Sequence, residues 1–328
     1  MTIKMEEVKS TIGDSPEINR VDNMTDHLLS KQWEFLWMWL PKLEYSIRCY
    51  SESESKRLQC FLNRNLPLHR APVIESFRLS FFCSHLKPED IKLWVLSTLS
   101  RLRRLEITCS SYLDMADILP SSLYTCKPLV TLKLKGKILV DVPRMVCLPS
   151  LKTLRLEDVT YFNGDSLRRL LSICPVLENL MVDGSVGDNM GKLTLRTLVI
   201  YIPSDLDEFV INTPSLKYLK LDYFNSTSHY CLIESMPKLK KAYIDVAFPY
   251  MERLIGSITS VKHLTLCLVE DDPMEQHVFG DGFVFNKLVH LRLCTCDEYS
   301  YVSQACTSET MYMVLSSTSS KIRLTYEN

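Results

Sequence analysis

The sequence predicts an α/β solenoid, in which parallel strands follow an irregular arc and short helices lie on its convex side. Two observations predict it: an apolar-x-x-apolar-x-apolar hexad occurs ten times, and it recurs at nearly regular intervals. The hexads begin at Ile74, Leu102, Leu129, Leu151, Leu177, Leu195, Leu216, Leu239, Val261 and Leu288. The intervals are 28, 27, 22, 26, 18, 21, 23, 22 and 27 residues, close to the roughly 20 to 29 residues of leucine-rich repeats. The sequence therefore predicts a leucine-rich-repeat solenoid.

Each hexad predicts one strand with a single buried face. Because strand side chains alternate, Leu154 and Leu156 are expected to point inward while Thr153 and Arg155 face solvent. One such strand buries too little apolar surface to be stable alone. Stability is therefore expected to come from the stacked array.

The chain between the strands predicts two short helices. One lies within residues 87–99, where Ile91, Val95 and Leu99 share one side. A second begins near Asp165 or Ser166 and ends before Pro175. Its apolar face consists of Leu167, Leu170, Leu171 and Cys174. The shorter middle repeats leave room only for loops or a turn of 3₁₀ helix.

The amino-acid composition limits the classes of partner that the protein would attract. The 328 residues include 38 Lys and Arg against 39 Asp and Glu, so no global field would attract nucleic acid or an anionic membrane. The 12 cysteines are scattered without a C-x-x-C motif, which predicts reduced, mostly buried thiols in a cytoplasmic or nuclear protein. The absence of a signal-peptide pattern and of a long apolar run disfavours secretion and membrane spanning.

No pattern in the sequence predicts catalysis, a metal or a cofactor. The segment Gly187–Lys192 is one residue short of a phosphate-binding loop and continues with Leu193 where Ser or Thr is needed. The seven histidines lack metal-ligand spacing. The acidic run Glu270–Asp272 is interpreted as a solvated loop. We therefore expect a non-catalytic protein.

Several long phrases resemble the plant F-box/leucine-rich-repeat family, whose members often end in an FBD domain. They are CFLNRNLPLHRAPVIESFRLSF (60–81), KPEDIKLWV (87–95), LPSLKTLRLEDVTYFNGDSLRRLLSICPVLENLMV (148–182) and FNKLVHLRLCTC (285–296). Upstream, LLSKQWEFLWMWLPKLEY (28–45) is similar to the last third of the family's F-box. Residues 1–27 do not match the rest of an F-box, and residues after Cys296 no longer follow the family.

The resemblance implies a substrate receptor of an SCF-type ubiquitin ligase. In that role the F-box binds a Skp-type adaptor and a cullin assembly, and the repeats bind the protein to be ubiquitinated. The alternative is a leucine-rich-repeat binding protein without a ligase connection, because the F-box match is truncated. The apolar residues Leu29, Trp33, Leu36 and Trp37 would then cap the first repeat, whereas in a ligase subunit they would contact the adaptor.

The expected organisation has five parts. They are a disordered tail (1–23), a partial F-box-like helical segment (24–50), a connecting helix or linker (51–73), the solenoid (74–296) and a divergent C-terminal tail (297–328).

A protein partner is expected on the concave face of the repeats. The residue between the last two apolar positions of each hexad points out of this face, and its neighbours flank it. The basic candidates are Arg78, Arg104, Lys133, Lys135 and Arg155, and the apolar and aromatic ones are Met181, Val199, Tyr201, Tyr218 and Tyr243. Such a mixture is typical of interface hot spots.

Overall fold

The computed structural model describes most of the chain between residues 36 and 326. The described ranges are 36–47, 51–82, 86–109, 118–163, 165–183, 189–192, 195–202, 208–223, 230–233, 236–245, 254–269, 283–285, 287–296, 313–318 and 321–326. The chain divides into two compact units: residues 1–163 with 173–175, and residues 164–172 with 176–328. We call them unit 1 and unit 2.

Unit 1 contains five parallel strands that pair in chain order. They are β1 (Lys42–Ile47), β2 (Ser76–Phe81), β3 (Arg104–Cys109), β4 (Thr131–Lys135) and β5 (Thr153–Glu157). Two shorter strands, Leu139–Val140 and Thr160–Tyr161, form a separate parallel pair.

The helices of unit 1 precede β1 or lie between these strands. They are α1 (Glu52–Asn65), α2 (Pro88–Thr98) and the 3₁₀ turns Leu36–Trp39, Leu66–Leu68, Leu99–Arg101 and Ser121–Thr125. The side chain of Ser51 caps α1 by accepting a hydrogen bond from the backbone of Glu54. The Trp94 indole on α2 donates to Asn63 Oδ1 on α1 at 2.7 Å, which joins the two helices.

Unit 2 contains six parallel repeat strands and the short helix α3 (Ser166–Ser172), and residues 254–257 are also helical. The strands are β6 (Asn179–Asp183), β7 (Thr197–Ile202), β8 (Tyr218–Tyr223), β9 (Lys241–Asp245), β10 (His263–Val269) and β11 (His290–Cys296), again paired in chain order. Strands Asn189–Lys192, Glu208–Asn212 and Tyr230–Ile233 form a second parallel sheet. Strands Phe283–Phe285, Met313–Thr318 and Lys321–Tyr326 form an antiparallel one.

The alternation of buried and outward residues confirms the leucine-rich-repeat prediction. The last two apolar positions of all ten hexads lie on repeat strands, β2 to β11. Leu154 and Leu180 are 0% and 1% exposed, whereas Arg155 and Met181 between the buried positions are partly exposed. The predicted helices also form, with Ile91 and Val95 of α2 completely buried. The apolar face of α3, namely Leu167, Leu170, Leu171 and the following Cys174, is buried as well.

The repeat array begins earlier than the sequence predicts. Residues 42–47 form β1, paired in parallel with β2, so this part of the segment expected to be helical (24–50) is a strand. The physical reason is strand alternation, since Leu43 and Tyr45 are buried while Lys42 and Glu44 face outward. Residues 36–39 of the same segment form a 3₁₀ turn, and residues 24–35 and 48–50 lie outside the described residues. Within the expected C-terminal tail, residues 313–318 and 321–326 likewise form strands.

In the described part of the chain, no helix has the length and apolar character needed to cross a bilayer.

Candidate functional site

The outward side chains of the repeat strands form rows because the strands pair in register. We call this surface the outer face, meaning the strand residues that alternate with the buried ones. In unit 1 the central row follows the register Glu44, Arg78, Glu106, Lys133, Arg155. Adjacent members of a row are about 4.8 Å apart along the sheet, so their side chains reach one another.

The central row of unit 1 is a chain of ion pairs. Arg78 contacts two carboxylates, with Nη1 3.0 Å from Glu44 Oε1 and Nη2 3.2 Å from Glu106 Oε2. Lys133 Nζ lies 3.4 Å from the same oxygen of Glu106. The hydrogen bond to Glu44 and the nearby carboxylates raise the pKa of Arg78 above its ordinary value. Negative and positive side chains therefore alternate along the row from Glu44 to Lys133.

A second group of ion pairs lies at the carboxyl ends of β4 and β5. Glu157 contacts Lys135 Nζ at 2.8 Å and Arg155 Nη2 at 3.4 Å. Arg104, at the amino end of β3, is exposed. The five basic candidates thus occupy one face, but four of them contact carboxylates. The outer face of unit 1 is therefore closer to neutral than the sequence suggested.

The outer face of unit 2 combines cations with aromatic rings. Lys220 Nζ lies 4.9 Å from the ring centroid of Tyr243, and Lys241 Nζ lies 5.8 Å from that of Tyr218. Both distances are within the range of cation–π attraction. Because β8 and β9 pair directly, the two contacts cross between neighbouring strands.

Behind Tyr243, three polar side chains form a hydrogen-bonded chain. The Tyr243 hydroxyl donates to Asp245 Oδ2 and accepts from Cys267 Sγ, both at 3.3 Å. Burial raises the pKa of Asp245 above its ordinary value, and the hydrogen bond from Tyr243 and the charge of Lys220 oppose this shift. These bonds fix the orientation of the Tyr243 ring.

The remaining apolar candidates lie on the amino-terminal strands of unit 2. Met181 and Val199 are half-buried and stand opposite one another on β6 and β7. Tyr201 belongs to β7, opposite Asp183, and its side chain lies outside the described part of the structure. The structure thus places Met181, Val199, Tyr218 and Tyr243 on one face.

The segment with the adaptor or cap candidates is only partly described. Leu29 and Trp33 lie outside the described residues, and Leu36 and Trp37 begin a 3₁₀ turn whose side chains at these two positions are not described. The backbone that follows is bound to the first repeat. The carbonyl of Met38 accepts from the amides of Arg70 (2.6 Å) and Ala71 (3.1 Å).

His69 completes this attachment, and the sequence analysis did not single it out. Its Nε2 lies 2.9 Å from the carbonyl oxygen of Leu40. A carbonyl only accepts, so Nε2 carries the proton. Burial is the main reason that the pKa of His69 lies below its ordinary value, and the charge of Arg101 acts in the same direction. The signal in the sequence was a histidine within residues 66–73, whose other side chains except that of Arg70 are apolar.

The described residues hold no cluster of three or more His, Cys, Asp or Glu side chains that could bind a metal. Six cysteines in this part of the chain are free thiols, and four of them are buried. Burial raises the pKa of Cys174 to about 12. A thiol with such a pKa is protonated at neutral pH and is a poor nucleophile.

Comparison with known proteins identifies the family. Residues 92–244 match the family model for the LRR repeats of FBD-associated F-box protein At5g56370. The chain is 58% identical over 272 residues to the Arabidopsis thaliana FBD-associated F-box protein At4g10400, covering 81% of this chain and 64% of the relative. It is 56% identical over 249 residues to the F-box protein At4g09920 of the same plant, covering 73% and 78%. The chain belongs to the plant F-box/LRR-repeat family.

A third family member, the putative F-box/LRR-repeat protein At4g15060 of Arabidopsis thaliana, is 43% identical over 327 residues, covering 88% of this chain and 76% of the relative. The chain spans 64% of the length of At4g10400, slightly less than two thirds. No solved structure matches the chain. The F-box/LRR-repeat names indicate a protein-interaction module, and the matched residues include outer-face strands of both units.

Proposed function

We propose that this F-box/LRR-repeat protein is a non-catalytic substrate-recognition subunit of an SCF-type E3 ubiquitin ligase. Its repeats bind the protein to be ubiquitinated through the outer face. The observation that carries the proposal is the in-register outer face itself, together with membership of the family. The chain supplies binding and orientation, and it requires no cofactor. The transfer chemistry belongs to the other ligase subunits.

The two units contribute differently to target binding. In unit 1 a target must compete with existing ion pairs between partly exposed groups, each worth roughly 0.2–1 kcal/mol. In unit 2, Tyr218 and Tyr243 are already oriented by Lys241 and Asp245. Ordered aromatic side chains lose little conformational entropy on binding and are frequent hot spots. The main binding energy is therefore assigned to unit 2, and unit 1 contributes charge complementarity.

A triple substitution of outer-face residues tests target binding. Met181, Tyr218 and Tyr243 are changed to Ala, and proteins near the chain in plant cells are recorded by proximity labelling. The control changes Met145, Phe162 and Val176 to Ala, three exposed apolar residues outside the repeat strands. We expect the outer-face variant to lose partners that the control retains. Equal partner sets from two folded variants would contradict binding at the outer face.

The second candidate function is a repeat-based binding protein without a ligase connection. It is favoured by the backbone bonds that attach residues 36–47 to the first repeat, because a segment used there serves as a cap. In this case Leu36 and Trp37, with Leu29 and Trp33 before them, act in the cap and not at an adaptor. A measurement of whether the chain binds a Skp-type adaptor distinguishes the two candidate functions.

A further inference from the structure

The amino ends of four neighbouring strands in unit 2 carry a row of exposed cationic residues. Lys217 and Lys240 immediately precede β8 and β9, Lys241 begins β9, and Lys262 immediately precedes β10. His263 and His290 begin β10 and β11. We call these six residues the basic ridge. None of the four lysines was part of the predicted concave-face site, although the Lys241 ammonium lies near the ring of Tyr218, which was.

Backbone hydrogen bonds place the ridge residues side by side. The amide of Lys240 donates to the carbonyl of Lys217, and that of Lys262 to Lys240, both at 2.9 Å. In the next position along each strand, Lys241 pairs with His263 and His263 with His290. The ridge therefore crosses four strands, and at about 4.8 Å per strand it is roughly 14 Å long.

The ridge is a local concentration of positive charge. All four lysines and both histidines are exposed. Among the described residues, no carboxylate forms an ion pair with any of the four lysines, in contrast to the alternating pairs of unit 1. The nearest comparable cation along the same edge, Arg196, lies 3.8 Å from Glu178 and is therefore not counted in the ridge.

We propose that the basic ridge binds an acidic segment of a partner protein, in which Asp or Glu side chains recur within four or five residues. An extended chain rises about 3.3 Å per residue, so this length matches the ridge. The inference rests on the proposed function only in that the partner is a protein. The proposal places part of the contact between this chain and its partner protein at the edge of the sheet, beside the outer face.

Two observations favour a protein segment over nucleic acid. The His263 and His290 rings stack on each other with centroids 4.9 Å apart, and the ammonium of Lys241 lies near the ring of Tyr218. These rings are engaged with neighbouring side chains, whereas single-stranded nucleic acids need aromatic faces that are free for base stacking. The net charge of −1 also provides no long-range attraction for a phosphate backbone or an anionic bilayer.

A quadruple variant tests the ridge. Lys217, Lys240, Lys241 and Lys262 are changed to Gln in the full chain, and binding of a labelled peptide of about five Glu and Asp residues, which matches the length of the ridge, is measured by fluorescence anisotropy. The control changes the exposed Arg57, Arg64, Lys127 and Lys137 of unit 1 to Gln, which removes the same charge. A third variant replaces the four lysines by Arg and keeps the charge.

We expect the ridge variant to bind the peptide at least about tenfold more weakly, because four exposed charges that attract the peptide are removed. The unit 1 control and the Arg variant should bind like the original chain, with affinity that falls as salt is added. Circular dichroism should show the same fold in all four proteins, because the substituted side chains are exposed.

Three results would overturn the proposal. They are no binding of the peptide to the original chain, equal losses in the ridge and control variants, or tighter binding of single-stranded DNA or anionic vesicles than of the peptide. A failure of the proposed function can be distinguished from a failure of the ridge proposal. If partner capture is unchanged by Met181→Ala with Tyr243→Ala while peptide binding still depends on the ridge lysines, outer-face recognition fails and the ridge stands.

Discussion

At the scale of single residues, Gly136 shows how closely neighbouring repeats approach. It follows β4 with a φ of +95°, a conformation that residues with a side chain rarely adopt. A Cβ at this position would lie 1.8 Å from the carbonyl oxygen of Cys109 at the end of β3. The Gly136 amide also donates to the carbonyl of Glu157 at 2.8 Å, so the turn is held between β3 and β5.

Replacing Gly136 by Ala should therefore destabilise unit 1. Backbone strain alone costs roughly 1–3 kcal/mol, and the backbone contact with Cys109 adds to it because a carbonyl group cannot rotate away. We expect the free energy of unfolding, measured with urea, to fall by at least about 2 kcal/mol. Arg144→Ala, at an exposed loop residue of the same unit, is the control and should change it by less than about 0.5 kcal/mol.

His69 makes stability depend on pH. The folded state disfavours the imidazolium because the ring is 4% exposed and its Nδ1 is buried without a hydrogen-bond partner among the described residues. Its pKa is thus lower in the folded than in the unfolded chain, where it is about 6.5. As the pH falls through about 6.5, His69 is protonated in the unfolded chain before it is protonated in the folded chain. The contribution of neutral His69 to the free energy of unfolding is therefore lost as the pH falls towards the folded-state pKa of His69.

We expect the free energy of unfolding to decrease between about pH 7.5 and 5.5, and the decrease to be smaller in His69→Gln. The Gln amide can donate to the Leu40 carbonyl but does not titrate in this range. Identical profiles for His69→Gln and the original chain would show that His69 titrates alike in both states.

At the scale of elements, the two-residue period of the strands separates stability from recognition. Leu154 and Arg155 are neighbours on β5, yet Leu154 is completely buried and Arg155 is a partly exposed member of the ion-pair network. Leu154→Ala should cost roughly 2–5 kcal/mol of unfolding free energy as a core truncation. Arg155→Ala should cost less than about 1 kcal/mol, because pairs near the surface contribute little. Similar costs in urea titrations would refute the assignment of the two faces.

The sequence predicted the elements that are specified by a pattern of apolar residues close together in the chain. The hexads located β2 to β11 because each places three apolar residues at fixed spacing. β1 was missed for two reasons: its hexad, Leu40 to Tyr45, has a tyrosine in the last apolar position, and it lies 34 residues before the next one. With β1 missing, Glu44 could not be recognised as the partner of Arg78. Ion pairs across strands depend on register, which the hexads define only once every strand is known.

The sequence predicted which positions form the candidate site, but it did not predict the contacts between their side chains. The residues of the outer face follow from the period of two, so Lys133, Met181 and Tyr243 were found correctly on one side of their strands. That Tyr243 is held by Asp245 and Lys220 depends on side-chain geometry that no single repeat contains. The basic ridge does have a sequence signal. Aligning the second positions of the hexads gives Lys217, Lys240 and Lys262 in succession.

At the scale of the whole molecule, the connection to a ligase depends on how residues 28–45 are used. This stretch is similar to the last third of the family's F-box, but its final part forms β1 and pairs with β2. The carbonyl of Pro41 also accepts from the amides of Glu75 and Ser76, at 2.7 and 3.2 Å. Residues 38–45 of this stretch are therefore bonded to the repeat array.

If residues 28–45 cap the repeats, as in the second candidate function, residues 1–328 should bind a Skp-type adaptor weakly or not at all, despite the presence of Trp33 and Trp37. Size-exclusion chromatography of an equimolar mixture should give two separate peaks. Fusing complete F-box helices of a family member before residue 28 should produce co-elution. The added helices provide the F-box surface that contacts the adaptor, whereas residues 1–27 do not match the family's F-box in sequence. In the unfused chain, Trp33→Ala with Trp37→Ala should leave the elution unchanged. Stoichiometric co-elution of the unfused chain, abolished by these two substitutions, would instead establish residues 28–45 as a sufficient adaptor site.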